Sequence, residues 1–226
     1  MKIELVVFDM AGTTVRDDDA VNRCLQAALA EGGIQVSRDQ INSVMGIPKP
    51  VAIAELWARE RGGRAPEEAV EQLHRAFLER MIEFYRTDPH VGEMPGARSA
   101  FDALHEAGVA VALDTGFSRR IVDVILERLG WDTPGVLDAT VASDEVARGR
   151  PHPDLLLEAM RRTGVSDVDR VAKVGDTPSD LQEGMAAGCR LVVGVTNGTH
   201  THQQLAAHGH THLIGNLWEL PGLIIQ

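Results

Sequence analysis

Two periodicities divide the chain. Residues 2–8 (KIELVVF) form a short apolar, β-branched run that stops at Asp9, the pattern of a strand buried on both faces. Similar runs lie at 109–113 (VAVAL), 136–142 (VLDATVA), 171–174 (VAKV), 191–195 (LVVGV) and 212–214 (HLI). Between them, apolar residues recur at helical spacing over 96–107, 118–129, 153–163, 179–187 and 203–208. Strands alternating with helices predict βαβ units, and so an α/β fold with a Rossmann-like, mostly parallel sheet. The stretch from 17 to 90 breaks the alternation. It carries helix patterns only, over 20–31, 38–45, 50–61 and 66–86, punctuated by Gly32-Gly33, Pro48, Gly62-Gly63 and Pro66. Segment 87–95 (TDPHVGEMP), with two prolines and a glycine, reads as a hinge. The expected organisation is a core of residues 1–16 and 91–226 with an all-helical cap, 17–90, inserted after the first strand.

Composition narrows the function classes. Of 226 residues, 44% are hydrophobic and 24% charged, ordinary usage for a globular chain that can bury a core. The formal net charge of −11 argues against nucleic acid or an anionic membrane as a partner. No apolar run approaches the ~20 residues of a membrane span. Cys24 and Cys189 are too few for a disulfide framework. The chain runs from Met1 straight into a strand pattern, so no signal peptide and a cytoplasmic location are expected.

In an open α/β sheet, ligands bind beyond the carboxyl ends of the strands. The first strand ends in Asp9-Met10-Ala11-Gly12-Thr13-Thr14, and run 109–113 ends in Asp114-Thr115-Gly116-Phe117. After 136–142 come Ser143-Asp144-Glu145 and Gly149-Arg150-Pro151. Run 171–174 ends in Gly175-Asp176-Thr177-Pro178-Ser179-Asp180. A single strand-end aspartate is commonly a cap or turn residue. The set says more. Asp9 with Asp176 makes a hard-oxygen pair suited to Mg²⁺. A carboxylate attacking a phosphoryl group faces charge repulsion, which Mg²⁺ and a fixed cation, Arg150, offset. Thr115 can donate its hydroxyl to a phosphoryl oxygen, and Gly116 lets backbone N–H groups come close. Asp114 adds negative charge beside that site.

In this order, the strand-end segments resemble the four motifs of the haloacid dehalogenase-like hydrolase superfamily. The first is Asp9 to Thr14, the second Thr115-Gly116, the third Arg150 in GRPHPD, and the fourth Gly175 to Asp180. The resemblance spans nearly the whole chain, helical cap included. It implies that Asp9 is a nucleophile forming an aspartyl-phosphate. It also implies Mg²⁺ held by Asp9, the Ala11 carbonyl and Asp176, with Asp180 one layer behind.

Two residues after the nucleophile, most phosphatases and mutases of the superfamily carry a second Asp that protonates the leaving group. Here the position is Ala11, which cannot move a proton. The phosphonatase branch, the phosphonoacetaldehyde hydrolase family, has Ala there in a D-x-A-G-T-T pattern and a Met-Gly-x-x-Lys element in its cap. This chain has Met45-Gly46-Ile47-Pro48-Lys49. The resemblance implies that Lys49 forms a Schiff base with a substrate aldehyde, so that carbon leaves phosphorus as an enamine and no acid at position 11 is needed. It also adds Ala11, Gly12 and Met45 to the substrate-binding set. Pro50 suits the first turn of helix 50–61, which puts Lys49 at the positive helix end, where dipole and desolvation disfavour an ammonium. Two other readings stay open: Lys49 as a charged anchor for an anionic group, and as a solvated surface lysine. Three positions depart from the branch: Ala52 replaces a cap histidine, Phe117 a tyrosine, and the cysteine expected early in the cap falls near Asp19, with Cys24 a helix turn later.

The remaining features have plainer readings. His200, His202, His208, His210 and His212 are taken as a solvated surface stretch, and His90 and His152 as structural. Trp57, Phe77, Phe84 and Tyr85 form the cap core or the face of a homodimer. Met10 either packs or touches substrate. Asp17-Asp18-Asp19 starts a helix, since the spacing and glycine of a calcium loop are missing. The leading function is a Mg²⁺-dependent hydrolase of a small phosphonate such as phosphonoacetaldehyde. The alternatives are a phosphomonoesterase for a small anionic metabolite and a catalytically weak phosphate-binding protein.

Overall fold

The computed structural model describes residues 2–16 and 18–225, so Asp17 lies outside the described residues. Its strands are β1 (Leu5–Phe8), β2 (Val15–Arg16), β3 (Gly92–Glu93), β4 (Ala110–Asp114), β5 (Ala139–Val141), β6 (Val171–Gly175), β7 (Leu191–Val195) and β8 (His212–Ile214). Four helices, α1 (Ala20–Glu31), α2 (Arg38–Asn42), α3 (Lys49–Arg61) and α4 (Glu67–Thr87), lie between β2 and β3. The others are α5 (Ala97–Glu106), α6 (Arg119–Leu129), α7 (Asp154–Thr163), α8 (Pro178–Ala187), α9 (His202–Ala206) and α10 (Leu220–Ile224).

Six strands form one sheet in the order β5-β4-β1-β6-β7-β8, parallel throughout, so the expected α/β fold is borne out. β1 is central, with Leu5 opposite both Ala110 and Val171. Its alternation serves two layers. Val6 and Phe8 join a core with Ala97, Phe101 and Trp131, while Leu5 and Val7 pack with Leu155, Leu156 and Ala159 of α7. A strand buried on both faces reads as an unbroken apolar run, which is why β1 is visible in the sequence.

The element borders shift for local reasons. The helix expected over 38–45 stops at Asn42. Ser43 Oγ bonds back to the Gln40 carbonyl at 2.7 Å, and Gly46 then turns the chain at φ 81°. β2 and β3 pair antiparallel, Val15 opposite Glu93, where the chain leaves the sheet layer and returns. No periodicity announces this ribbon, because each of its strands is two residues long. In the helical segment, α1 packs on α4 and α2, α3 on α4, and α4 on α6. Phe77 and Tyr85 are fully buried, and the Tyr85 ring meets Phe117 edge-on at 6.0 Å. No helix among the described residues is long and apolar enough to cross a membrane.

The Phe101 ring is fully buried between Phe8 at 5.2 Å and Trp131 at 5.3 Å. Phe101→Ala should cost about 3–5 kcal/mol in urea unfolding. Asp102→Ala, which removes only an exposed pair with Arg98 on the same helix, should stay within about 0.5 kcal/mol. Equal losses would show that this aromatic stack does not anchor the core.

Candidate active site

β1 carries Asp9 to the carboxyl edge of the sheet, between β4 and β6, where the chain order reverses. A tight turn follows. The N–H groups of Thr13, Thr14 and Val15 all donate to the Met10 carbonyl, at 3.2, 2.9 and 2.8 Å. Thr14 Oγ1 donates to the Asp9 carbonyl at 2.8 Å. Gly12 holds φ 88°, and a Cβ there would lie 2.4 Å from Asp176 Oδ2, so the position needs glycine twice over. Met10 is fully buried in the core, which settles its role as packing.

β6 brings Asp176 to the neighbouring strand end. Its Oδ1 accepts from Thr13 Oγ1 at 2.9 Å, and its Oδ2 accepts the Thr199 N–H at 2.6 Å. Helix α8 starts with Thr177 as cap and Pro178 behind it. Thr177 Oγ1 donates to Asp180 Oδ2 at 2.6 Å, which leaves Asp180 Oδ1 facing an Arg150 Nη1 at 2.8 Å. One carboxylate oxygen from each of Asp9, Asp176 and Asp180 lies within 4.8 Å of the others, and all three residues are buried.

Beneath these carboxylates lies a charge network. Arg150 Nε donates to Glu183 at 3.0 Å, Nη1 to Asp9 Oδ1 at 2.5 Å, and Nη2 to the Asp114 carbonyl at 2.8 Å and to the Asp114 carboxylate. Lys173, fully buried in the middle of β6, pairs with the Asp114 carboxylate, with Glu183 at 3.0 Å and with Asp180 at 3.4 Å. Burial pushes Asp176 up to about 6, with Asp180 adding to the rise. Burial likewise holds Asp9 well above the usual carboxylate range despite Arg150, with Asp180 and Asp176 adding to the rise. Glu183 reaches about 7, through burial and then the Asp114 charge. Burial also opposes ionisation of Asp114, but Arg150 and Lys173 outweigh it and hold that carboxyl below its ordinary value.

Above the network opens a cleft of about 220 Å³. Its wall includes Asp9, Ala11, Gly12, Thr115 and Gly116 from the sheet side, and Met45 and Lys49 from the helical segment. Thr115 Oγ1 accepts the Phe117 N–H at 3.2 Å, so its own hydrogen can serve an acceptor in the cleft. Lys49 heads α3 and is 4% exposed, with Nζ 5.7 Å from the centroid of the Phe117 ring. Arg150 and Asp176 do not line the cleft; they lie under its floor. Ala52 is buried and apolar.

Sequence reasoning missed Lys173 and Glu183. The available signal was a charged residue in the middle of an apolar strand, with an acid three positions after Asp180 on α8. The histidine stretch is not uniformly solvated either. His200 is 7% exposed, while His202 and His212 are exposed. His90 sits at the surface against Asp88 at 3.2 Å.

The parallel sheet and its strand-end carboxylates define a class of α/β hydrolase. The description "Haloacid dehalogenase-like hydrolase" matches residues 6–194, and the chain belongs to that family. It is 30% identical to the phosphonoacetaldehyde hydrolase of Hahella chejuensis, over 87% of this chain and 69% of that one. It is also 30% identical to the phosphonoacetaldehyde hydrolase of Bacteroides fragilis, over 99% and 96%. The crystal structure of a phosphonoacetaldehyde hydrolase-like protein from Oleispira antarctica superposes with a TM-score of 0.85 at 23% identity, over 100% of this chain and 92% of that one, a likeness of fold.

The acidic cluster could hold a divalent metal ion: its donors are hard oxygens, and its negative charge exceeds what Arg150 and Lys173 supply. A carboxyl whose pKa rises on folding favours the fold below its unfolded pKa, and that contribution is lost as pH climbs through the folded value. Asp176 therefore opposes folding above about pH 6, where an added cation relieves it. Millimolar MgCl₂ should raise the melting temperature clearly at pH 8 and much less at pH 5.5, where Asp176 keeps its proton. Equal shifts at both pH values would remove these carboxylates from the metal site.

Proposed function

We propose that the protein is a Mg²⁺-dependent phosphonatase that cleaves the carbon–phosphorus bond of phosphonoacetaldehyde or a closely related small phosphonate. One observation carries the reading: Lys49, from the helical segment, and Asp9, from the sheet, line the same small cleft, and Ala11 lines it too. The burial and helix N-terminus expected to disfavour the ammonium of Lys49 are both present. The 220 Å³ cleft is below the roughly 300–1,000 Å³ of drug-sized pockets, in keeping with a substrate of a few heavy atoms. The similarity to phosphonoacetaldehyde hydrolases points the same way.

In this reading residues 17–90 act as a cap over the core. Asp9, Asp176 and the Ala11 carbonyl hold Mg²⁺, with Asp180 behind them; the ion supplies charge neutralisation for a phosphoryl group approaching a carboxylate. The Lys49 amine condenses with the substrate aldehyde, losing water to give a protonated imine. Asp9 attacks phosphorus as the carbon–phosphorus bond breaks, and that electron pair moves into the imine to give an enamine. Protonation at carbon and hydrolysis of the imine release the aldehyde and free Lys49. Water hydrolyses the aspartyl-phosphate to phosphate and Asp9. Thr115 and the Gly116 backbone meet phosphoryl oxygens, Met45 lines the organic end, and Arg150 holds Asp9 in line from below.

Phosphate release from phosphonoacetaldehyde with Mg²⁺ tests this directly. Lys49→Arg keeps the charge, loses the imine, and should lower the rate by at least about a thousandfold. Absence of release from well-folded, Mg²⁺-loaded wild type would sink the reading.

The Phe117 ring over Lys49 Nζ favours a second reading, because a ring face stabilises a cation. Lys49 would then anchor an anionic group of a phosphate monoester. Under that reading the missing proton donor limits the rate, so Ala11→Asp should raise ester hydrolysis by roughly ten- to a hundredfold. No rise would count against it.

A further inference from the structure

The loop from Met45 to Lys49 rests on three loops of the sheet layer, and each contact uses a missing side chain. A Cβ on Gly46 would lie 2.5 Å from Thr177 Oγ1 and 2.8 Å from Ser179 Cβ. One on Gly116 would meet the Ile47 and Gly46 carbonyl oxygens at 2.9 and 3.0 Å. One on Gly149 would meet Cγ and Cδ of the Pro48 ring at 2.3 and 2.9 Å. The partners are chain neighbours of the site residues. Gly149 precedes Arg150, Gly116 follows Thr115, and Pro48 precedes Lys49.

We propose that the contact between Gly149 and Pro48 is a positioning element that registers Lys49 against the Arg150–Asp9 pair and keeps it covered. Its catalytic meaning rests on the reading of Lys49 above. A proline ring cannot swing aside, and a glycine offers the only surface low enough for it. Lys49 follows Pro48 with no intervening freedom, so the depth at which Pro48 seats fixes the depth of the lysine. Gly149 makes the sharpest probe. Unlike Gly46, it is not among the positive-φ glycines, so an alanine there brings no left-handed strain. All three nearest atoms that its methyl would meet belong to Pro48.

The lysine content supplies the readout. The chain has three lysines: Lys2 is exposed, Lys49 is 4% exposed and Lys173 is fully buried. Limited acetylation with N-acetoxysuccinimide, resolved by residue in a mass spectrometer, reports all three in the intact protein. Gly149→Ala should acetylate Lys49 about tenfold faster with Lys2 and Lys173 unchanged. Pro48→Ala keeps only the Cβ, 3.7 Å from the added methyl. The double variant Gly149→Ala/Pro48→Ala should therefore return Lys49 to the wild-type rate, and its phosphate release should recover with it. Unchanged Lys49 labelling in Gly149→Ala, acceleration that persists in the double variant, or Lys173 rising in step with Lys49 would each overturn the proposal. Wild type that shows this labelling pattern but releases no phosphate from phosphonoacetaldehyde would retire the substrate reading and leave the registering contact supported.

Discussion

Arg150 is a fully buried guanidinium with carboxylates around it, and the rest of the site is arranged by that fact. A charge taken out of water is tolerated only when its partners are fixed in good geometry. Here the partners come from separate pieces of chain: Asp9 after β1, Asp114 at the end of β4, and Asp180 and Glu183 on α8. Lys173 ties three of the same acids from within β6. Backbone ladders hold β4, β1 and β6 side by side with their ends level, and these opposite charges meet there. Removing any one partner would leave a buried charge uncompensated.

The same count explains why the site suits a metal ion. Five buried carboxylates (Asp9, Asp114, Asp176, Asp180 and Glu183) stand against the two cations of the network, Arg150 and Lys173, while Lys49, also buried, lies in the cleft wall. Asp114 has both cations on it and stays ionised at the expense of its neighbours. The unmet charge collects on Asp9, Asp176 and Glu183, which all resist ionisation. Arg150 is below the floor of the cleft, so it steadies Asp9 from behind. In the proposed reading, the task of meeting a phosphoryl group falls to Thr115, the Gly116 backbone and whatever the helical segment contributes.

The fold was legible because its signals are local. An apolar run ending in Asp and followed by helical spacing recurs along the chain, and each such unit became a βα unit of the sheet. Asp9, Thr115, Arg150 and Asp176 could be picked out because each follows a strand-like run, and the sheet gathers strand ends on one edge. Lys173 and Glu183 were illegible for the converse reason. Lys173 sits inside a strand, where position says nothing of chemistry, and its partner Asp114 is 59 positions away. The β2–β3 ribbon left no trace, since two residues carry no period. His200 differs from the histidines after it only in being tucked behind the Asp176 loop, a tertiary accident that composition cannot report.

Ala11 and the seated loop are two sides of one constraint. A side chain that could carry a proton is missing beside Asp9, so any reactive assistance must arrive from outside the sheet. The helical segment can deliver it only if its loop approaches the strand ends closely. Backbone contact at Gly46, Gly116 and Gly149 is the closest approach a polypeptide permits, and it leaves no room for a lubricating side chain or a layer of water. A residue at the tip of such a loop is placed by packing rather than by its own flexible stem. That matters most for a lysine, whose four-carbon chain would otherwise spread its amine over a wide volume. In the proposed reading, the packing of Pro48 on Gly149 does for Lys49 what Arg150 does for Asp9. Each of the two groups would then be held from behind by a neighbour that takes no part in bond making.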